Sequence, residues 1–286
     1  MSSPSKNVKS EKSDAHRFFV DLSQAFGGAI LFSFPLLMTM EMWRLAFYMD
    51  GLRLALFTLL TIPLLIGLSY YDGFEQTNTV KDDVREAFIA YAVGFAASTL
   101  VLILFGVITP EMSANEIIGK ISLQAVAAGF GAMLTQSLLV IDDETEKNAE
   151  KRKRSASYGG QLFLMVVGAM FLSLSVAPTE EMVLISYQMT YWHTAALAGV
   201  TLLMKYGFVY AAKFQGHHKV HAPDESFLSL FLRFTVVGYA IVLLISFYIL
   251  WTFGSIDGLS FAEKLKATIV LGFPAAIGAA ASRLIL

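Results

Sequence analysis

A chain of 286 residues that is 56% hydrophobic and 15% charged, with a mean hydropathy of +0.60, is too apolar for a water-soluble domain, where charged residues approach about 25%. A net charge of −2 from 21 basic and 23 acidic side chains offers no basic excess for nucleic acid. The absence of cysteine excludes disulfides, thiolate metal sites and thiol catalysis. The composition specifies an all-α polytopic membrane protein whose main partner is the lipid bilayer. It indicates no cofactor and leaves open whether the chain forms a homo-oligomer.

Residues 1–17 are rich in Ser and Lys and lack the apolar run and small-residue cleavage site of a signal peptide, so they are expected to form a disordered cytoplasmic tail. Eight apolar runs follow, each near the roughly 20 residues that a spanning helix needs. They are Leu22–Met40, Leu54–Tyr70, Phe88–Ile108, Ala114–Ile141, Tyr158–Ala177, Met189–Ala212, Phe227–Phe253 and Phe261–Leu286. The runs are continuous rather than alternating, which favours helices over barrel strands. A charged segment at 142–157, with Asp142-Asp143-Glu144 followed by Lys151-Arg152-Lys153-Arg154, separates a first four-helix unit (18–141) from a second (158–286).

Lys and Arg gather on the side that holds the N-terminus, in Lys6 to Arg17, Lys81, Arg85, Lys147 to Arg154, Lys205, Lys213, Lys219 and Arg283. The other side carries Arg44, Arg53, Lys120, Lys264 and Lys266. The positive-inside rule then predicts both termini in the cytoplasm.

The second unit repeats the first. A shift of 140 positions superimposes Gly28 on Gly168, Ser33 on Ser173, Glu41 on Glu181, Met49 on Met189, Thr61 on Thr201 and Tyr70 on Tyr210. A drift of a few residues then aligns Val93-Gly94 with Val237-Gly238 and Gly129-Phe130 with Gly272-Phe273. An even number of helices per unit makes the repeats parallel, related by an axis along the membrane normal. Ser113-Ala114-Asn115-Glu116 and Ser260-Phe261-Ala262-Glu263 have the capping-box pattern and fix two helix starts. Small residues such as Ala125, Gly129 and Gly131 in the fourth helix and Gly272, Ala276 and Gly278 in the eighth suit close central packing.

Ionisable groups at membrane depth are costly, so they are the first places to look for function. Glu41 and Glu181 are repeat mates near the outer ends of the first and fifth spans, and the same register sets Arg53 opposite His193. Together the four would line an outer vestibule; alternatively the carboxylates make solvated pairs such as Glu41 with Arg44, one turn on. Gln124 and Gln136 could line a polar path or simply bridge helices by hydrogen bonds. Pro274, like Pro35, removes a helix amide and frees a carbonyl for a cation, or only kinks its helix. His217, His218 and His221 with Asp224 have metal-binding donors, although a solvated loop explains a single such cluster better. Asp82-Asp83-Val84-Arg85-Glu86 is most simply a charged start to the third span.

The stretch Gly27-Gly28-Ala29 to Pro35-Leu36-Leu37-Met38-Thr39-Met40-Glu41-Met42-Trp43, with Asp82-Asp83-Val84-Arg85-Glu86 and Thr109-Pro110-Glu111-Met112, resembles a bacterial family of integral membrane proteins of unknown function. The resemblance covers nearly everything after the N-terminal tail. It implies a multi-pass protein of the bacterial inner membrane and brings no activity, ligand or catalytic residue with it. The repeat and the paired carboxylates suggest a channel or transporter for a small ion or polar solute, with a path between the units. A non-transporting scaffold or sensor is the alternative, and a metal-dependent membrane enzyme built on the histidine loop is the third reading.

Overall fold

The computed structural model describes residues 4–72, 79–134, 157–214 and 231–282, with side chains for 19–71, 79–134, 157–208 and 231–282. Helices α1 (Pro4–Leu37), α2 (Met40–Tyr48), α3 (Gly51–Asp72), α4 (Val80–Leu104) and α5 (Ala114–Met133) form the first half. In the second half α6 (Tyr158–Val176), α7 (Glu180–Gln188) and α8 (Tyr191–Phe214) are followed by a π-helical turn (Phe231–Val236) that runs into α9 (Val237–Thr252), and then α10 (Phe261–Ala281). The described residues contain no strand. Six helical stretches are long and apolar enough to cross a bilayer: Phe19–Leu37, Gly51–Tyr71, Val80–Leu104, Tyr158–Val176, Phe231–Thr252 and Phe261–Ala281. Two of the eight expected runs, in α5 and α8, are helical but do not join this set; α5 carries Glu116, Lys120 and Gln124 within its length, and α8 carries His193 and Lys205.

Helix α1 reaches back to Pro4, into the stretch expected from the sequence to be disordered. Its other end falls short of the expected Met40. Thr39 adopts an extended conformation (φ −92°, ψ 116°), and its hydroxyl turns back to Pro35 O rather than capping the next helix. Thr179 does the same in the second half, with Oγ1 donating to Val176 O at 2.8 Å. A hydroxyl that satisfies a terminal carbonyl competes with further helical turns, so both long helices stop there. Nine-residue helices, α2 and α7, begin immediately afterwards. Glu41 and Glu181 therefore occupy the first turns of separate short helices, which corrects their expected location at the ends of the spans.

Close backbone crossings organise each half. At Gly131 in α5 a Cβ would lie 2.6 Å from Gly28 O and 2.6 Å from Phe32 Cβ; at Gly278 in α10 it would fall onto Gly168 O of α6. Without aqueous solvent to drive helices together, such contacts let dispersion between backbones do so. Gly28 and Gly168 stand 140 residues apart, whereas Gly131 and Gly278 stand 147 apart, as do Ser113 and Ser260. Both serines accept from the backbone N–H three residues on, and Glu116 and Glu263 accept in return from the serine N–H, closing two capping boxes. The register inferred from Gly129 and Gly272 is thus corrected by four residues: Gly129 faces Tyr91 and Leu65, while Gly272 meets Leu243. Helices α4 and α9 also end alike. Gly106 (φ 67°) and Gly254 (φ 73°) supply the left-handed residue, and Val107 N–H and Ser255 N–H reach back to Leu102 O and Leu250 O.

Between the halves lies an aromatic seam formed mainly by α3 and α6, with α1 and α9 beside them. Phe57 meets Phe253 edge-on at 5.8 Å, Phe32 meets Phe171 at 5.1 Å, and Tyr71 stacks on Phe163 at 6.1 Å. Phe57 and Phe253 are fully buried. The Phe163 ring also fills the space above Gly67, where a Cβ would lie 2.5 Å from its Cζ.

Candidate functional site

At the end of the molecule that carries α2 and α7, the expected residues occupy separate environments. The terminal carbonyls of α1 are claimed one by one: Leu37 O accepts from Trp43 Nε1 at 2.8 Å, and Leu36 O from Gln124 Nε2 at 3.1 Å. Gln124 is buried and reaches from α5 to the end of α1. Glu41 is partly buried and Glu181 exposed. Each lies in a helix first turn, where the free amides favour negative charge. Arg44 faces Glu180 at 4.0 Å rather than pairing with Glu41. Partial burial raises the Tyr48 phenol above its ordinary value, with Arg44 working against the shift and Glu180 and Glu41 adding to it.

Arg53 and His193, set opposite each other by the repeat expected from the sequence, have unlike surroundings. Arg53 donates from Nη1 to Asp257 Oδ2 at 2.7 Å and to Trp251 O at 2.8 Å, and its guanidinium lies 4.8 Å from the centroid of the Trp251 ring. It therefore clamps α3 to the α9–α10 connection of the other half. His193 is exposed and closes the first turn of α8, its Nδ1 2.9 Å from Thr190 Oγ1. Among the described residues no hydrogen bond or ion pair joins Glu41, Glu181, Arg53 and His193 to one another. Pro274 lies inside α10, which continues unbroken across it. Gln136, His217, His218 and His221 lie outside the described residues.

The opposite end, where α3 stops and α4 begins, holds a further site at the run Asp82-Asp83-Val84-Arg85-Glu86, which is more than a charged helix start. Thr79 caps α4 and forms a capping box with Asp82, which stays in solvent. Asp83 and Glu86 turn inward instead, at 6% and 1% exposure. Ser69 of α3 donates to Asp83 Oδ1 at 3.3 Å and makes a shorter contact with Glu86 Oε2, so one hydroxyl lies between two carboxylates. Two buried acidic side chains one turn apart in an apolar helix are expensive in a bilayer setting. Carboxylate oxygens about a hydroxyl are hard donors suited to a proton or a small cation.

Helical periodicity carries the signal for this pair. Asp83, Glu86 and Ala87, Ala90, Gly94 and Ala97 recur at intervals of three or four residues, and all are buried on one face of α4. The acids share a face with the small residues that meet α5, where a Cβ at Gly94 would lie 2.7 Å from Ala125 O. Asp82 and Arg85, in the same charged run, face outward.

In the second half, Phe231 and Phe234 stand in the π-helical turn that runs into α9, and among the described residues the buried charge is Lys205 of α8, at 1% exposure.

No curated protein and no solved structure matches the chain. The family model described as "Putative integral membrane protein (DUF2391)" matches residues 21–286, in accord with the helical architecture and the six membrane-length segments. The chain therefore belongs to that family of integral membrane proteins.

Proposed function

We propose that the protein is an eight-span protein of the bacterial inner membrane, built from two like units with both termini in the cytoplasm, and that it carries a proton or small cation through the first unit. The parallel-repeat reading draws support from the two nine-residue helices, the paired capping boxes, the matching glycine crossings and the glycine-terminated α4 and α9. The burial of Asp83 and Glu86 about Ser69 carries the transport reading, because nothing in helix formation requires two acids on the inner face of α4. The route runs beside α3 and α4 rather than between the units, since the seam between them is filled by aromatic rings. Glu41 and Glu181, at the other end, lie in helix first turns, where they serve the helix termini rather than the route.

Flux in proteoliposomes tests this. Wild-type protein should move H⁺, Na⁺ or K⁺, and Asp83→Asn with Glu86→Gln should lower the rate at least about tenfold, a loss of roughly 1.4 kcal/mol or more at the barrier. The same flux in that double variant, or none in wild type, contradicts the proposal. A non-transporting scaffold or sensor is the second reading, favoured by the aromatic seam and the Arg53 clamp, which together fasten the halves to each other.

A further inference from the structure

Lys120 is buried in the second turn of α5, at 4% exposure, where an ammonium is costly unless its donors are satisfied. Its Nζ donates to Val107 O at 3.0 Å and to Met112 Sδ at 3.5 Å, and it lies 4.9 Å from the centroid of the Phe47 ring of α2. Val107 and Met112 belong to the connection between α4 and α5, so the charge ties that connection to α5. Lys266 of α10 makes a related tie in the second half, donating to Met189 O at 2.7 Å with the Tyr191 ring 4.8 Å away. The thioether is the difference. Met112 immediately precedes the capping box at Ser113, and Leu259 holds the matching place before Ser260.

A thioether is a weak acceptor, whereas an ammonium is a strong, charged donor. Met112 is half-buried between the exposed Glu111 and Ser113, so its side chain is reachable from outside the helix bundle. Its main chain is fixed on both sides: Met112 N–H donates to Thr109 O at 3.1 Å, and Ser113 N–H donates to Glu116 Oε2 in the capping box. A fixed backbone limits how far the sulfur can leave Lys120. Oxidation to the sulfoxide usually disrupts packing, because it makes an apolar side chain polar. At Met112 it would replace a weak acceptor with a strong one beside a buried charge.

We propose that Met112 is an oxidative modification site, at which a peroxide converts the thioether to a sulfoxide whose oxygen accepts from Lys120 Nζ and tightens the α4–α5 connection. A sulfur lone pair forms an S–O bond with one oxygen of hydrogen peroxide as the O–O bond breaks. The sulfur is oxidised by two electrons, and the departing hydroxide takes the remaining peroxide proton and leaves as water. Methionine sulfoxide reductases reverse such a change. The site lies at the end of the molecule opposite Asp83 and Glu86 and is independent of the cation route.

The experiment uses the full chain in detergent. Protein is treated with hydrogen peroxide, oxidation at Met112 and at the more exposed Met38 and Met40 is measured by peptide mass spectrometry, and unfolding midpoints are taken before and after. Met112 should convert under conditions that convert Met38 and Met40. Treatment should shift the wild-type midpoint upward by roughly 2–4 °C relative to its effect on Met112→Leu, which carries the same other methionines. Untreated Met112→Gln, with an amide oxygen where the sulfoxide oxygen would stand, should unfold above Met112→Leu by a similar margin, and Lys120→Leu should erase both differences. An unoxidised Met112 beside converted Met38 and Met40, or a wild-type shift no higher than that of Met112→Leu, would overturn the proposal. Should Lys120→Leu fail to fold, the glutamine variant decides: a midpoint no higher than that of Met112→Leu contradicts the bond to Lys120.

Discussion

Each half of the molecule runs through a long helix, a nine-residue helix and a second long helix, followed by two further helices of which the last begins at a serine–glutamate capping box. The buried charges differ. Among the described residues, the first half buries Asp83 and Glu86 near the start of α4 and Lys120 in α5, and the second buries Lys205 in α8, with Phe231 and Phe234 in the turn that runs into α9. Features common to both halves, such as caps, glycine crossings and helix stops, satisfy backbone groups and bring helices together, so they account for folding. The unlike features are buried charges, which are costly to hold at membrane depth, and this makes them the better guide to function.

The largest effects are expected where the halves agree. Gly131→Leu and Gly278→Leu each force a side chain into a backbone crossing that cannot move aside, at a cost of roughly 3 kcal/mol or more. Each should sharply lower the yield of monodisperse protein and its unfolding midpoint, and by similar amounts. Tolerance of one variant but not the other would break the likeness between the halves.

A smaller contrast separates Gly94 from Gly238. A Cβ at Gly94 meets Ala125 O and Gly129 N of the α5 backbone, both at 2.7 Å, whereas one at Gly238 meets the flexible ends of Lys205 and Met165. Gly94→Ala should therefore destabilise by about 2–3 kcal/mol and Gly238→Ala by about 1 kcal/mol, measured as thermal midpoints of the purified variants. The reverse order would mean that Lys205 is held rigidly.

The smallest effects belong to the ion pairs that join the halves. Arg53 meets Asp257 at 2.7 Å and also binds Trp251 O, so Arg53→Met should cost about 1 kcal/mol, partly screened by salt. Arg44 and Glu180 are both well exposed and 4.0 Å apart, and Arg44→Met should leave the midpoint unchanged. Thermal scans at low and high salt distinguish the two.

The helical class and most of the element boundaries were legible in composition and run length, because a continuous apolar run has few ways to satisfy its backbone in lipid. The capping boxes at Ser113 and Ser260 were legible as well, since they depend on residues only three positions apart. The short helices were not. Their starts depend on where the hydroxyls of Thr39 and Thr179 bond, and a threonine in an apolar run can bond either within its own helix or to the end of the preceding one. The offset of the last helices, 147 rather than 143 residues, was obscured by the many glycines of α5 and α10, which permit several equally plausible alignments. Long-range partners were out of reach. Nothing local says that Arg53 binds Asp257, or that Gln124 spans to Leu36. Asp83 and Glu86 were the avoidable omission, because their three-residue spacing continues the buried face of α4.

The central claim is that function resides where the halves differ, and paired flux measurements test it most directly. In proteoliposomes, the Asp83→Asn, Glu86→Gln protein should lose at least about tenfold of the wild-type cation flux, while the Glu41→Gln, Glu181→Gln protein, altered at positions that the halves share, should stay within about twofold of wild type. The opposite ranking, or equal flux in both variants, would contradict the account.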